Sequence, residues 1–271
     1  MKVSKFEFIT IVFVCIFGSS VFAGGINTAL QFDGTNDYVV IPDNDALSPQ
    51  AAGQMTVSTW VKIDAWPIGN NEVVLAKSTD YQSEYNVGIT TTGQVNFTLW
   101  RPTGSHYAFA MGGTITLGQW HNITGTYNQS DAVKVYLDGI LVNQSNSWNP
   151  PMGGNGTASL DFGKIGGSTT PCWFNGTLDD VSIWNYAKTD AEVLNSFNQT
   201  LIGTESGLAA AWNFNEGSGQ VVTDITGHGN NGILGSGSGV DSADPTWVVV
   251  PEPATMALLA LGGLMLRRRM K

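Results

Sequence analysis

Short runs of alternating apolar and polar residues, separated by glycine-rich turns, recur along this chain and constrain its fold more than any other feature. The run MTVSTWVKI (55–63) and the run QVNFTLW (94–100) each place every second residue on one face of a strand. The segment VKVYLDGILV (133–142) reads as a hairpin, because Asp138-Gly139 tolerates the positive φ angles of a two-residue turn. With 33 glycines and no βαβ repeat, the sequence predicts an all-β antiparallel sandwich or barrel.

A single short helix is predicted directly after the run DDVSIW (179–184). Thr189 followed by Glu192 forms a capping-box pattern, and Val193, Leu194 and Phe197 then make a narrow apolar stripe. We expect this helix to lie across the edge of the sandwich.

The two ends of the chain differ in composition from its body. Lys2 and Lys5 precede the apolar run 8–17, and small residues lead to Ala23, which is the pattern of a secretory signal cleaved after Ala23. The run is too short to span a bilayer core of about 30 Å. At the other end, GSGSGVDSADP within 235–250 has the composition of a linker. We therefore expect a signal peptide (1–23), a folded body (24–234), a Gly/Ser-rich linker (235–250) and a C-terminal segment (251–271).

The charge of the body excludes one class of partner. The whole chain has a formal charge of −10, and the segment 24–250 retains 6 basic and 20 acidic residues, a charge of −14. A strongly acidic domain without a basic stripe is repelled by phosphate backbones, so we expect no nucleic-acid partner. Such a charge is compatible with a divalent cation or with neutral glycans. Cys172 is the one cysteine left after signal cleavage, and no intramolecular disulfide is expected.

Four segments together resemble the laminin-G-like branch of the concanavalin A-like lectin/glucanase domains. They are ALQFDGTNDYVVIP, MTVSTWVKI, GQWHNITGTYNQSDAVKVYLDGILV and FNGTLDDVSIWNYAKTDAEV, and they span residues 29–193. The resemblance implies a jelly roll of two antiparallel sheets. GLAAAWNFNEGSGQVVTDITGHGNNGIL (207–234) resembles a segment that often precedes FDGTNDYV in such domains, but here it comes after the helix. It either adds strands to the jelly roll or begins a truncated repeat, and the short remainder of the chain favours the first alternative.

The C-terminus resembles the PEP-CTERM sorting signal. Its three ordered parts are a Pro-Glu-Pro motif, an apolar stretch from Ala254 to Leu266 and a basic end, with the residues Pro251, Glu252, Pro253, Arg267, Arg268 and Arg269. The 13 apolar residues are few for a permanent transmembrane anchor, and the arginines would hold the end in the cytoplasm. The resemblance implies transient anchoring in the inner membrane, processing by an exosortase, and delivery to the surface or extracellular matrix of a Gram-negative bacterium. The alternative is a plain tail anchor without processing.

Catalysis is not expected from this sequence. Glycosidases of this architecture place two carboxylates across the sugar bond, commonly from a Glu-x-Asp-x-x-Glu strand motif. No such motif occurs, and the glutamates of the body stand alone. The three histidines are not near a nucleophile motif, and the resemblance assigns His121 a structural role.

A structural calcium site is one candidate for the chemistry of the domain. Hard cations require converging oxygen ligands, which Asp33, Asn36, Asp37, Asp179 and Asp180 could provide if the two segments lie together. Many relatives implied by the resemblance bind such a calcium. Equally, these residues are ordinary turn formers.

Exposed tryptophans are the second candidate, because sugars stack on aromatic rings. The resemblance places Trp60 and Trp120 in the core, and Trp184 and Trp212 are expected there too. The remaining candidates for ligand contact lie near strand ends or in loops and are Trp66, Trp100, Trp148 and Trp173. The alternative for each is a loop residue folded onto the sandwich. The sequence thus predicts an exported, carbohydrate-binding jelly roll with a structural calcium, and the alternative is an adhesion or structural surface protein that makes protein contacts.

Overall fold

The computed structural model describes residues 27–48, 53–67, 71–79, 82–100, 107–145, 157–166 and 172–250. The predicted signal peptide, the predicted sorting signal with its Pro-Glu-Pro and arginine residues, and Trp148 lie outside these residues. Within them, the chain forms two antiparallel sheets and one α-helix, so the predicted sandwich is confirmed.

Sheet A has eight described strands, and their order is β10-β9-β8-β3-β12-β1-β16, with β13 paired to β12 beyond the end of β1. The bounds are β1 (Thr28–Asp33), β3 (Gln54–Ile63), β8 (Trp120–Asn128), β9 (Val133–Leu137), β10 (Ile140–Ser145), β12 (Asn175–Trp184), β13 (Leu208–Trp212) and β16 (Thr246–Val249).

Sheet B also has eight described strands, in the order β14-β15-β2-β11-β4-β5-β6-β7. The bounds are β2 (Val39–Ile41), β4 (Glu72–Thr79), β5 (Gln82–Ile89), β6 (Val95–Trp100), β7 (Tyr107–Gly112), β11 (Leu160–Phe162), β14 (Val221–Val222) and β15 (Gly232–Leu234). A single 3-10 turn, Asp45–Leu47, follows β2.

The core lies between the two sheets and is built from the inward residues of the alternating runs. Val57 and Val61 of β3 face it from sheet A, and Phe97 and Leu99 of β6 face it from sheet B, all of them fully buried. Gly125 of β8 has to remain a glycine, because a Cβ there would lie 2.3 Å from the Phe97 ring. The apolar residues that alternate along these runs of the sequence are therefore the residues that form the core.

The predicted hairpin and helix are both present. Asp138 and Gly139 have φ angles of 52° and 77° and join β9 to β10. The helix α1 (Asp190–Ser196) begins at Thr189, whose capping box with Glu192 is formed. The helix lies beside β10 and over the outer face of sheet A, where Phe197 packs on Trp60 at a ring distance of 6.1 Å. Trp60 is thus buried, as the resemblance implies, but in a small cluster with Trp120 and Phe197 outside the main core between the sheets.

The linker interpretation of 235–250 is wrong for its second half. Residues 246–249 form β16, which pairs with β1 from Thr28↔Val249 to Gln31↔Thr246. The preceding loop is tied to the body, because Gly235 N–H donates to the Tyr38 carbonyl and Tyr38 N–H donates to the Ala243 carbonyl. Glycine-rich composition is misleading here, since the Asp241 carboxylate accepts the N–H groups of Ser236 and Ala243 and so orders the loop that returns the chain to the sheet.

The segment 207–234 completes the sandwich. Its β13 joins sheet A through β12, and its β14 and β15 extend sheet B at β2. The turn between them is organised by Asp224, whose carboxylate accepts hydrogen bonds from the backbone N–H groups of Ala211, Thr226 and Asn230. The segment therefore adds strands to the jelly roll and does not begin a truncated repeat.

Candidate functional site

The outer face of sheet B carries a cleft of about 390 Å³ that is open to solvent. We call it the sheet B cleft. Its wall is formed by outward residues of β4 to β7, together with the residue that precedes β4: Asn71, Glu72, Val73, Asn86, Gly88, Asn96, Thr98, Trp100, Tyr107, Phe109 and Met111. These residues alternate with the buried core residues of the same strands, so the strand register itself brings them together.

Three aromatic rings form one side of the sheet B cleft. Tyr107 and Phe109 are 53% and 41% exposed, and Trp100 is half-buried. The ring centres lie 6.4 Å apart for Trp100 and Tyr107 and 5.7 Å apart for Tyr107 and Phe109. Large apolar rings left on the surface side of a strand are costly unless something binds to them, so this row is a candidate contact surface.

Polar side chains form the floor of the same cleft. Asn86, Asn96 and Thr98 are nearly buried, and Thr98 Oγ1 donates to Asn96 Oδ1 over 3.3 Å. The Oδ1 atom of Asn86 is buried without a hydrogen-bond partner among the described residues. Gly88 has to remain a glycine, because a Cβ there would lie 2.8 Å from the Glu72 carbonyl oxygen. An unpaired buried acceptor costs about 1–3 kcal/mol, which a ligand donor could recover.

Glu72 is the charged residue among the described residues of the cleft wall. It is 6% exposed, and burial raises its pKa from 4.5 to about 7, although the backbone N–H of Asn175 donates to it and works to lower the pKa. Its Oε2 atom is buried without a hydrogen-bond partner among the described residues. The carboxyl therefore titrates near neutral pH.

The four predicted ligand-contact tryptophans do not share one surface. Trp100 lies in the sheet B cleft. Trp66 is folded onto the β5–β6 turn, where a Cβ on Gly93 would lie 2.5 Å from its ring. Trp173 packs against Tyr38 at a ring distance of 6.4 Å, and Trp148 lies outside the described residues.

Most of the cleft, including Tyr107, Phe109, Glu72 and Asn86, is not among the binding residues predicted from the sequence. A signal was present in YAFAMG (107–112), because its small residues alternate with large ones. In the structure the alanines face the core and the rings face solvent. Large side chains outward and small ones inward are the reverse of an ordinary surface strand, and that inversion marks a binding face.

The predicted calcium ligands fall into two separate groups. Asp33, Asn36 and Asp37 occupy the turn after β1, whereas Asp179 and Asp180 lie in β12. Since Asp33 pairs with Asn175, Asp179 is four residues further along the strand. At about 3.4 Å per residue that is roughly 14 Å. Apart from the gaps given above, no group of three His, Cys, Asp or Glu side chains in 27–250 is placed to hold a metal ion.

Local hydrogen bonds account for both groups of carboxylates. Asp33 Oδ1 accepts the N–H groups of Thr35 and Asn36, and Asp37 accepts the Asp33 N–H over 2.8 Å. Asp179 Oδ1 accepts the N–H of Asp180, which has a φ of 47° at a bulge where β12 changes partners from β1 to β13. The five residues together therefore do not fit one calcium site.

Burial, together with the nearby Asp33 and Asp244 carboxylates, raises the pKa of Asp37 to about 6, against the hydrogen bond from the Asp33 N–H. His121 is structural, as the resemblance implies: its Nδ1 contacts Asp138 Oδ2 at 2.8 Å, and its Nε2 accepts the Thr116 N–H.

The thiol of Cys172 is half-buried, and that burial raises its pKa.

The family model described as the concanavalin A-like lectin/glucanases superfamily matches residues 33–194. The chain belongs to this superfamily. A PEP-CTERM protein-sorting motif matches residues 249–269, which indicates an exported protein that is sorted to the cell surface. Both resemblances that the sequence predicted are thus confirmed. Among the described residues, no helix has the length and apolar character that a membrane crossing requires.

Solved structures share the fold of this superfamily member at low sequence identity. A protein from Bacteroides ovatus, provisionally assigned as carbohydrate-binding, has a TM-score of 0.63 and 16% identity, with 84% of this chain and 61% of that chain covered. A heptameric SAP-like pentraxin from Limulus polyphemus has a TM-score of 0.53 and 18% identity, with 77% of this chain and 94% of that chain covered. No curated protein matches the sequence.

Proposed function

We propose that the sheet B cleft binds a carbohydrate and that the domain works by binding rather than by catalysis. The observation that carries the proposal is the row of exposed rings beside buried amides, one of which has an acceptor without a hydrogen-bond partner among the described residues. Sugars offer apolar ring faces for Trp100 and Tyr107 and hydroxyl donors for Asn86. The provisional assignment of the similar B. ovatus protein to carbohydrate binding supports this ligand class.

The charges in the cleft favour binding over hydrolysis. Glycoside hydrolysis requires two carboxyl groups about 5–10 Å apart across the sugar bond. Among the described residues of the cleft wall, Glu72 is the one carboxyl group. The remaining side chains are amides, hydroxyls, aromatic rings and apolar groups, which bind sugars without transferring protons.

The test is a binding screen of the full chain against oligosaccharides and polysaccharides, with the Trp100→Ala variant beside wild type. We expect Trp100→Ala to weaken binding tenfold or more, about 1.4 kcal/mol. Trp173→Ala is the matched control, because Trp173 lies against Tyr38 and does not line the cleft. Equal losses in both variants, or no sugar binding by folded wild type, would overturn the proposal. Binding of a protein partner that sugars do not compete would favour the adhesion function instead.

A calcium ion remains part of the proposal at the turn 33–37 only. Asp37 lies there close enough to Asp33 and to Asp244 for its charge to interact with theirs. A bound cation would oppose that repulsion and would lower the pKa of Asp37. Running the binding screen with calcium and with EDTA tests this, and an identical thermal unfolding temperature in both conditions would argue against calcium.

We also propose that an exosortase processes the chain at Pro251-Glu252-Pro253 after transient anchoring in the inner membrane of a Gram-negative host. The match of the sorting motif to residues 249–269 supports this. Replacing Glu252 with Ala in the host should leave an unprocessed, membrane-associated product. Processing that is unaffected by this change would contradict the proposal.

A further inference from the structure

Glu72 is an unusual component for a site that binds neutral sugars. Its carboxyl is nearly buried, one of its oxygens has no hydrogen-bond partner among the described residues, and the other described cleft residues are uncharged. No described ion pair involves it, whereas the buried Glu84 on the same sheet is paired with Lys77 at 3.1 Å. A buried carboxylate without a cation is destabilising.

The chemistry of the ligand decides how that cost is relieved. A neutral sugar hydroxyl donates one hydrogen bond but leaves the charge unbalanced. A uronate or sulfate would repel the carboxylate. A protonated amine donates hydrogen bonds and balances the charge, and it is also attracted to the faces of Trp100 and Tyr107.

The net negative charge of the whole molecule also favours a cationic ligand. The chain has a formal charge of −10, and its field raises the local concentration of cationic polymers near its surface. Amino sugars that carry a free amine are the class of carbohydrate that combines an apolar ring face, hydroxyl groups and a positive charge.

We propose that the sheet B cleft selects a polysaccharide containing amino sugars with free, protonated amines, and that the ammonium group pairs with Glu72. This inference rests on the proposed carbohydrate-binding function and names its substrate class. The ring of the amino sugar packs against Trp100 and Tyr107, and its hydroxyl groups donate to Asn86.

The proposal carries a proton linkage. Because burial places the pKa of Glu72 at about 7, its carboxyl is mostly protonated at pH 6 in the free protein. Pairing with an ammonium group favours the ionised carboxylate, so binding at pH 6 releases a proton. The titratable group that shares the cleft from β7 is Tyr107, whereas β5 and β6 contribute uncharged side chains and the first residue of β12 contributes the Asn175 N–H.

Calorimetry with the full chain tests the proposal. The probes are three oligosaccharides of equal length and linkage: a β-1,4-linked glucosamine hexamer, its fully N-acetylated counterpart and cellohexaose. We expect the glucosamine hexamer to bind at least tenfold more tightly than the other two at pH 6. Measurements in two buffers of different ionisation enthalpy should show proton release with that ligand alone.

Two isosteric variants make the test specific. Glu72→Gln should reduce the affinity for the glucosamine hexamer to that of the acetylated hexamer and abolish proton release. Asp131→Asn removes the same charge from an exposed position in the β8–β9 turn of sheet A and should change neither. Thermal unfolding checks that both variants fold.

The outcomes separate the two proposals. Equal affinity for all three hexamers, lost in Trp100→Ala, would overturn the amino-sugar inference and leave the carbohydrate-binding function standing. If no hexamer and no polysaccharide binds, both are wrong. An equal loss of affinity in Asp131→Asn and Glu72→Gln would show general charge attraction and would also overturn the inference.

Discussion

The outer faces of the two sheets are built from the same kind of alternating strand but differ in solvent exposure. We call the outer face of sheet A, which α1 overlies, the covered face, and the outer face of sheet B, which carries the cleft, the open face. On sheet A, the outward residue Trp60 is 2% exposed because α1 and Phe197 cover it. On sheet B, the outward residues Tyr107 and Phe109 remain exposed. An outward aromatic residue is therefore structural where the chain covers it and is available for ligands where the chain does not.

The carboxylates of the two faces differ in the same way. Asp190 on the covered face accepts hydrogen bonds from Tyr136 and Lys134 at 2.8 and 3.1 Å, and these hydrogen bonds hold its pKa below the usual value. Glu72 on the open face has a pKa raised to about 7 by burial. The charge of Asp190 is thus balanced within the chain, whereas Glu72 has no ion-pair partner among the described residues.

The largest expected effect comes from breaking the covered face. Trp60→Ala removes a buried ring from the contact with Phe197 and Trp120 and should lower the free energy of unfolding by about 3–5 kcal/mol. Urea denaturation measures this. The affinity of the folded fraction for its sugar should be unchanged, and a large loss of affinity would show that the two faces are coupled.

The next effect concerns the open face and depends on pH. The pKa of Glu72 is about 7 in the folded state and 4.5 in the unfolded reference, so its contribution to stability is fully present below pH 4.5 and is lost as the pH rises through about 7. This difference between the folded and unfolded pKa corresponds to on the order of 3 kcal/mol in the free energy of unfolding. Glu72→Gln should therefore be more stable than wild type at pH 8 and about equally stable at pH 4.

Urea denaturation of both proteins at pH 4 and pH 8 checks this prediction. Burial also raises the pKa values of Asp37, Glu84 and Asp161, so some pH dependence of the same sign should remain in the variant. Identical pH profiles for the two proteins would show that Glu72 is not the buried, unbalanced charge that distinguishes the open face.

The sequence predicted what depends on neighbouring residues and failed where distant segments meet. Asp138-Gly139 and the Thr189–Glu192 box are local patterns, and both form as predicted. Whether a face is covered depends on where a helix lies after folding, which alternation cannot show. The same limit explains why composition predicts a linker where β16 forms, and why the sequence alone cannot show whether Asp33 and Asp179 lie together.

A smaller effect is expected for Trp100, whose substitution should weaken sugar binding much more than it weakens folding, in contrast to Trp60. Trp100→Ala removes a half-buried ring from a surface cleft, so the free energy of unfolding should fall by less than about 1 kcal/mol. The affinity for sugar should fall tenfold or more, as stated above. Titration and urea denaturation of the same preparation check both, and a stability loss as large as that of Trp60→Ala would place Trp100 among the structural residues.

The smallest expected effect comes from weakening the N-terminus of α1 while the aromatic rings beneath it stay in place. Thr189→Ala deletes the hydroxyl that accepts the Glu192 N–H and should cost about 1 kcal/mol. Hydrogen exchange should become faster in 190–196, while the sheet B strands keep their protection. Sugar affinity should stay at the wild-type value, because α1 contacts sheet A and the cleft is formed by β4 to β7. A parallel loss of affinity would mean that the cover on one face supports the geometry of the other, since the two sheets share one core.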